Sequence, residues 1–150
     1  MGKLRRLSSK TLLLSGVLLN TWLFKPIDLT KRKTLVVGAS TNPARYANMA
    51  VHQLLKHEQP VEAIGLREDH IGPVAIQTGF PALTDIHTVT LYLNAQRQEA
   101  YYDYLLGLAP KRIIFNPGTE NPEFAEKARK AGVETIEACT LVMLSTNQYS

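Results

Sequence analysis

From Thr34 onward, short apolar runs alternate with stretches of helical periodicity. Leu35-Val36-Val37 is an unbroken apolar run ending at Gly38, as expected of a parallel strand covered on both faces. Asn42-Pro43 reads as a helix N-cap followed by proline at the first helical position. Ala47, Val51, Leu54 and Leu55 then fall on one helix face. Val61 to Leu66 is the second predicted strand. Residues 67–87 hold Gly72, Pro73, Gly79 and Pro81 and read as irregular chain with at most a short helical turn. Val89 to Leu93 is the third strand, and Tyr101, Tyr104, Leu105 and Leu108 mark the helix after it. Ile113-Ile114-Phe115 is the fourth strand.

The next helix is fully punctuated. Asn121 caps it, Pro122 opens it, and Glu123 suits its positive end. Phe124, Ala128 and Ala131 form its buried stripe. Lys127, Arg129 and Lys130 occupy its last turns, and Gly132 fits a left-handed C-cap. Val133 to Glu137 is the fifth strand, and Thr140 to Ser145 is a short terminal helix or strand.

This alternation predicts an α/β fold: a Rossmann-like, doubly wound parallel sheet of about five strands in three αβα layers. Right-handed crossovers place helices on both faces. Ligands of such sheets bind beyond the carboxyl ends of the strands, where strand order reverses. The informative residues are therefore those just after each strand.

Charge changes the picture at one end of the chain. The 150 residues carry a formal net charge of +4. Residues 1–33 hold eight basic side chains against Asp28 alone, and the remainder holds nine basic and twelve acidic ones. The basic character thus belongs to an extension, residues 1–32, and the domain predicted over 33–150 is mildly acidic. A nucleic-acid partner would call for a basic face on the fold itself, so none is expected. Thr11 to Phe24 is a 14-residue apolar run, shorter than the roughly 20 residues that span a bilayer. No small-x-small cleavage site follows it. A membrane contact is expected only if this extension is native. The competing reading is a start at Leu29, since no Met lies between Met1 and Met49. One cysteine, Cys139, and four scattered histidines exclude an internal disulfide and any tight metal site. They fit a reducing, cytoplasmic setting.

Three strand ends carry candidate chemistry. Gly38-Ala39-Ser40-Thr41-Asn42-Pro43-Ala44-Arg45-Tyr46 is a turn opening a helix, the arrangement that brings backbone N–H groups onto a phosphate. Only one glycine of the dinucleotide fingerprint is present, with Ser40 and Pro43 at the other two positions. Arg45 at a helix N-terminus opposes the helix dipole. It is either a solvated surface charge or the partner of an anionic ligand. Leu66-Arg67-Glu68-Asp69 mixes an arginine, which suits a phosphorylated ribose, with acids that suit a free one. Asn116-Pro117-Gly118-Thr119-Glu120 suits a type II turn with polar groups at the mouth of the sheet. Cys139 is expected to be a buried, inert thiol. No nucleophile–base pair or metal constellation is evident, so no catalytic or metal-binding residue is assigned.

Thr34-Leu35-Val36-Val37-Gly38-Ala39-Ser40, with Pro43, Arg45 and Tyr46, resembles the single-domain CoA-binding proteins, which are similar to the nucleotide-binding domain of the succinyl-CoA synthetase α-subunit. Pro81-Ala82-Leu83-Thr84-Asp85-Ile86, the stretch from Lys111 to Glu123, and Glu137-Ala138-Cys139-Thr140-Leu141 extend the resemblance over residues 33–147. The resemblance implies coenzyme A lying across the strand ends. Gly38, Ala39, Ser40 and Arg45 would meet its phosphates, within a loop that includes Asn42 and Tyr46. Leu66 and Arg67 would lie at the adenosine end, and Leu93 and Asn94 would line the cleft. Asn116, Pro117, Gly118, Thr119 and Glu120 would approach the pantetheine arm. The synthetase's phosphohistidine belongs to a further domain, so the implied function is a stand-alone CoA or acyl-CoA binder without its own catalytic centre. The alternatives are an NAD(P)-binding oxidoreductase, an acyl-CoA enzyme dependent on a partner, and a module with a decayed nucleotide site. The implied partner is a small nucleotide ligand, and homo-oligomer formation is left open.

Overall fold

The computed structural model describes residues 31–150; the apolar run Thr11 to Phe24 and the candidate start at Leu29 lie outside them. Seven strands form one sheet: β1 (Thr34–Ala39), β2 (Val61–Gly65), β3 (Asp69–Ile71), β4 (Val74–Gln77), β5 (Thr88–Leu91), β6 (Arg112–Phe115) and β7 (Glu134–Glu137). Their spatial order is β3-β4-β2-β1-β5-β6-β7. All pairings are parallel except β3 with β4. The helices are α1 (Tyr46–Lys56), α2 (Ala95–Gln98), α3 (Tyr102–Gly107), α4 (Pro122–Lys130) and α5 (Thr140–Ser145), with a single 3₁₀ turn at Glu99–Tyr101. The predicted Rossmann-like α/β class is what the structure has.

Two apolar layers follow from strand alternation. Leu35, Val37, Val89, Leu91, Ile113 and Phe115 pack against α3 and α4 through Leu105, Phe124 and Ala128. Val36, Ala63 and Ile114 face the other way, onto α1 and α5 through Val51, Leu54, Met143 and Leu144. The chain winds from β1 to one side, then returns to place β5 on the other. The reversal point therefore lies at the end of β1.

The structure has two strands more than the sequence pattern suggested. The predicted irregular segment 67–87 contains the hairpin of β3 and β4, joined by Gly72-Pro73, with Ile71 paired to Val74. Ile71, Val74 and Ile76 are buried against α1. The alternation Val74-Ala75-Ile76 was the available signal, masked by the flanking Gly and Pro. The expected helix after the third strand is broken into α2, the 3₁₀ turn and α3. Its counterpart after β6 has the expected ends: the Phe124 N–H donates to Asn121 Oδ1 at 3.0 Å, Pro122 opens α4, and Gly132 has φ +84°. Phe124 and Ala128 are buried, but Ala131, expected on the same stripe, is exposed at the C-cap where the helix has ended.

The amino ends of the strands are tied by a buried polar cluster. Arg112 Nε donates to Thr88 Oγ1 at 2.9 Å and Nη2 donates to the Tyr149 carbonyl at 2.7 Å. The guanidinium also lies 4.5 Å from the centre of the Tyr149 ring, and the Tyr149 and Thr34 hydroxyls are bonded to each other. His87 borders this cluster, its Nδ1 2.8 Å from Thr88 Oγ1. Burial first, then the charges of Arg32, Arg112 and Lys111, lower its pKa from 6.5 to about 4. A base with a depressed folded pKa binds fewer protons folded than unfolded, so stability falls on acidification. Thermal melts are expected to drop as pH falls from 6.5 toward about 4, and His87→Gln should flatten part of that acid limb. An unchanged acid limb in the variant would remove His87 as a cause.

Candidate functional site

The main cleft, about 790 Å³, lies across the carboxyl ends of β1, β2, β5 and β6, at the reversal point. Its floor is built by a close approach of backbones. The β1–β2 register slips between Val37 and Ala39, leaving Gly38 at φ +97°. A Cβ on Gly38 would stand 3.0 Å from the Tyr92 carbonyl carbon and oxygen. Only glycine tolerates both conditions. Ala39 is then opposite Gly65, whose own Cβ would lie 2.4 Å from the Ala39 carbonyl oxygen.

The loop from Ser40 to Arg45 is held by short-range bonds. The Asn42 N–H donates to Ser40 Oγ at 3.1 Å and the Ala44 N–H to Asn42 Oδ1 at 2.9 Å. Asn48 Nδ2, from α1, donates to the Ser40 carbonyl at 2.9 Å. Asn42 therefore closes a turn and does not cap the helix, correcting the expected N-cap. The helix starts three residues later than the sequence suggested, at Tyr46, because Pro43 and Ala44 complete that turn first. Arg45 occupies the N-cap position, and no side-chain cap bond is made to α1 among the described residues. No acid occupies its first turn, although anions are stabilised there. Tyr46 and Ala47, the first two residues of α1, line the cleft.

Arg45, Arg67 and Arg97 all border the same cleft. None of them takes part in an ion pair found among the described residues. Among the described residues Asp69 is the one carboxylate on the cleft wall. Tyr92 supplies an apolar wall; burial pushes its phenol up to about 12, against the opposing pull of the Thr90 and Thr140 hydroxyls. Those hydroxyls are close, yet neither makes a well-formed bond to the Tyr92 oxygen.

The β5 and β6 ends are joined by Gln98, which is fully buried. Its Nε2 donates to the Leu93 carbonyl at 2.9 Å and the Thr119 carbonyl at 2.8 Å, and its Oε1 accepts from Asn121 Nδ2 at 2.9 Å. Asn116 through Thr119 form the expected type II turn, with the Thr119 N–H donating to the Asn116 carbonyl at 2.9 Å and Gly118 at φ +89°.

Of the residues singled out from sequence, Gly38, Ala39, Ser40, Arg45, Tyr46, Leu66, Arg67, Leu93, Asn94, Pro117, Gly118 and Thr119 come together around this cleft. Asn42, Asn116 and Glu120 do not line it. Asn116 points inward: its Nδ2 donates to Thr90 Oγ1 at 2.7 Å and the Leu91 carbonyl at 2.9 Å, and its Oδ1 accepts the Thr140 N–H at 2.8 Å. Glu120 turns back to accept the Gly118 N–H at 3.0 Å. The Thr119 hydroxyl donates to the Asn116 carbonyl at 2.8 Å. Arg97, Tyr101, Tyr92 and Gly65 also line the cleft and were not assigned to it; Asp69, one of the two acids noted at the second strand end, lines it as well. Asn94 caps α2 by accepting the Arg97 N–H at 2.9 Å, so a capping signal three residues ahead of Arg97 was legible. Cys139 is half-buried, precedes α5 and stands outside the cleft wall. Among the described residues there is no group of three metal-ligating side chains and no helix long and apolar enough to cross a membrane.

This is the architecture of a Rossmann-like protein with an open, arginine-lined cleft at its reversal point. Residues 32–145 match the family described as the CoA binding domain, and the chain belongs to that family. A crystal structure of an uncharacterized protein is 40% identical, covers 79% of this chain and 98% of its own, and superposes with a TM-score of 0.77. A conserved hypothetical protein from Pyrococcus furiosus is 26% identical, with 74% and 97% covered and a TM-score of 0.66. An acetyl-coenzyme A synthetase from Ca. Korarchaeum cryptofilum, solved with phosphate and ADP, shares the fold at 17% identity and a TM-score of 0.59; the match covers 79% of this chain and 27% of that one. A search of curated proteins found no match.

Proposed function

We propose that this chain binds coenzyme A, free or acylated, across the cleft at the end of β1, as a stand-alone binding protein with no catalytic centre of its own. The observation that carries the reading is the convergence of Arg45, Arg67 and Arg97, outside any described ion pair, on a cleft that also receives the uncapped start of α1. Coenzyme A offers three phosphate groups to such a surface, and guanidinium groups bind phosphate through paired, charge-assisted hydrogen bonds.

The full chain should be melted with CoA, acetyl-CoA, NAD and NADP. A ligand present at 100 times its Kd stabilises by about 2.7 kcal/mol. Stabilisation by CoA or acetyl-CoA beyond that by either nicotinamide nucleotide is the expected result. Asp69 on the cleft wall favours the second reading, a free ribose and hence NAD. A shift with NAD and none with CoA would establish that reading instead.

Arg67 follows β2, where a ribose substituent would lie. Arg67→Ala should weaken CoA by about tenfold, the scale of one charge-assisted contact, and leave dephospho-CoA nearly unaffected. Titration calorimetry with both ligands distinguishes this from equal losses, which would reject Arg67 as the reader of a ribose phosphate.

A further inference from the structure

The aromatic side chains at one end of the cleft remain unexplained by phosphate binding. Tyr101 lines the cleft. Phe80 packs edge-on against it, ring centres 5.5 Å apart, and lies 5.2 Å from Tyr104. Tyr104 is anchored through its hydroxyl to the Pro81 carbonyl at 2.6 Å. This cluster is a braced group of rings in edge-on and tilted contact, yet Phe80 remains 58% exposed. Leu66, also on the cleft wall, is 77% exposed. Large apolar groups left open beside a charged cleft mark a place where a ligand covers them.

The topology says which end of a ligand that is. Phe80 follows β4 closely, and β4 is the parallel neighbour of β2, the strand that carries Leu66 and Arg67 out into the cleft. Phe80 therefore reaches Tyr101, which itself follows β5, from the β2–β4 side. The opposite end, beyond β6, is the Pro117-Gly118-Thr119 turn, which has no aromatic ring. A ligand lying from β4 to β6 meets an apolar platform first and a small-residue turn last. Coenzyme A has one flat heteroaromatic group and one flexible amide arm, and only the former gains from a stacking platform.

Building on the coenzyme A reading, we infer that Tyr101, braced by Phe80 and sharing the cleft wall with Leu66, is the platform on which the purine base of the ligand is held. Tyr101 is thus a specificity residue for an adenine nucleotide, and the pantetheine arm runs away from it toward Gly118. The hydroxyl of Tyr101 is dispensable and its ring is not.

Titration calorimetry on the full chain tests this with CoA and with adenosine 3′,5′-bisphosphate, which keeps the base and lacks the arm. Tyr101→Ala should weaken both ligands by the same factor, about tenfold on the scale of one lost base–aromatic contact. Tyr101→Phe should retain wild-type affinity. Phe80→Ala, a change at an exposed ring that leaves the fold intact, should show the same pattern at smaller size. Loss of CoA affinity alone, with the bisphosphate unchanged, would put the pantetheine arm on the rings and overturn the inference. So would unchanged affinity of both variants for CoA, or failure of the bisphosphate to bind a wild-type chain that binds CoA; in each of these the ligand reading survives. A wild-type chain that does not bind CoA at all would overturn both.

Discussion

Gly65→Ala is expected to lower the stability of the chain by about 3 kcal/mol, the upper part of the range for overpacking a tight site, and its melting temperature by about 10 °C. The reason is local. Gly65 closes β2 opposite Ala39, and its missing side chain is what lets the two strand ends meet. A Cβ would stand 2.4 Å from the Ala39 carbonyl oxygen and 2.8 Å from Ile76 Cγ2. The first obstacle is backbone, which cannot rotate aside. The second is a buried side chain of β4. Relief requires β2 to move away from β1 where both border the cleft, so a ligand held there should bind more weakly as well. Gly107→Ala is the control, because nothing lies within 4 Å of its Cβ and its backbone is helical. It should be neutral or slightly stabilising. Melts of the two variants by circular dichroism make the comparison, and equal melting temperatures would contradict the close-approach account.

The second large effect is expected at Asn116. Its amide joins three elements: β6, which carries it; β5, through Thr90 and the Leu91 carbonyl; and α5, through the Thr140 N–H. Asn116→Ala leaves a buried N–H and a buried carbonyl short of a partner. Each such group costs about 1–3 kcal/mol, for a total near 3 kcal/mol after local adjustment. Asn116→Asp separates the contributions. The carboxylate still accepts from Thr140 but faces the Leu91 carbonyl without a proton to offer. Burial then raises its pKa above the unfolded value of roughly 3.9. A raised acid is stable when protonated, so the deficit against wild type should grow as pH rises through that folded value. Melts of Asn116→Asp and wild type over an acidic-to-neutral series would show this. A constant difference across the series would mean that the carboxyl is not desolvated at this site.

Both positions illustrate what could be read in advance. Asn116 stood out in the sequence as a polar residue at a strand end, and its location was right. Its direction was not legible, because Thr90 and Thr140 reach it only when β5 and α5 pack beside β6. Gly65 carried no signal at all. It lies within an apolar run, and the demand for glycine comes from Ala39, which is distant in sequence. Tyr101 was read as part of a helix face, and Arg97 was not singled out, because the break between α2 and α3 turns one expected helix into two short ones. The hairpin of β3 and β4 was hidden by Gly72 and Pro73, which signal irregular chain equally well.

What the linear order of residues determined was the class of fold and the side of the sheet that carries the site. Apolar runs of strand length, capped helices between them and a glycine at the end of β1 leave few arrangements, since right-handed crossovers and two buried faces prune the rest. What only the tertiary structure decided was the membership of the cleft: which arginines converge, that Asn116 turns into the fold while Glu120 folds back onto Gly118, and that Phe80 braces Tyr101. These depend on contacts between residues far apart in the chain, and a side chain's direction is set by its neighbours in space. The charge distribution shows the same division. The sequence places the basic excess in residues 1–33, while the cations that matter to the cleft are three single arginines, after β1, β2 and β5, brought to one mouth by the winding of the sheet.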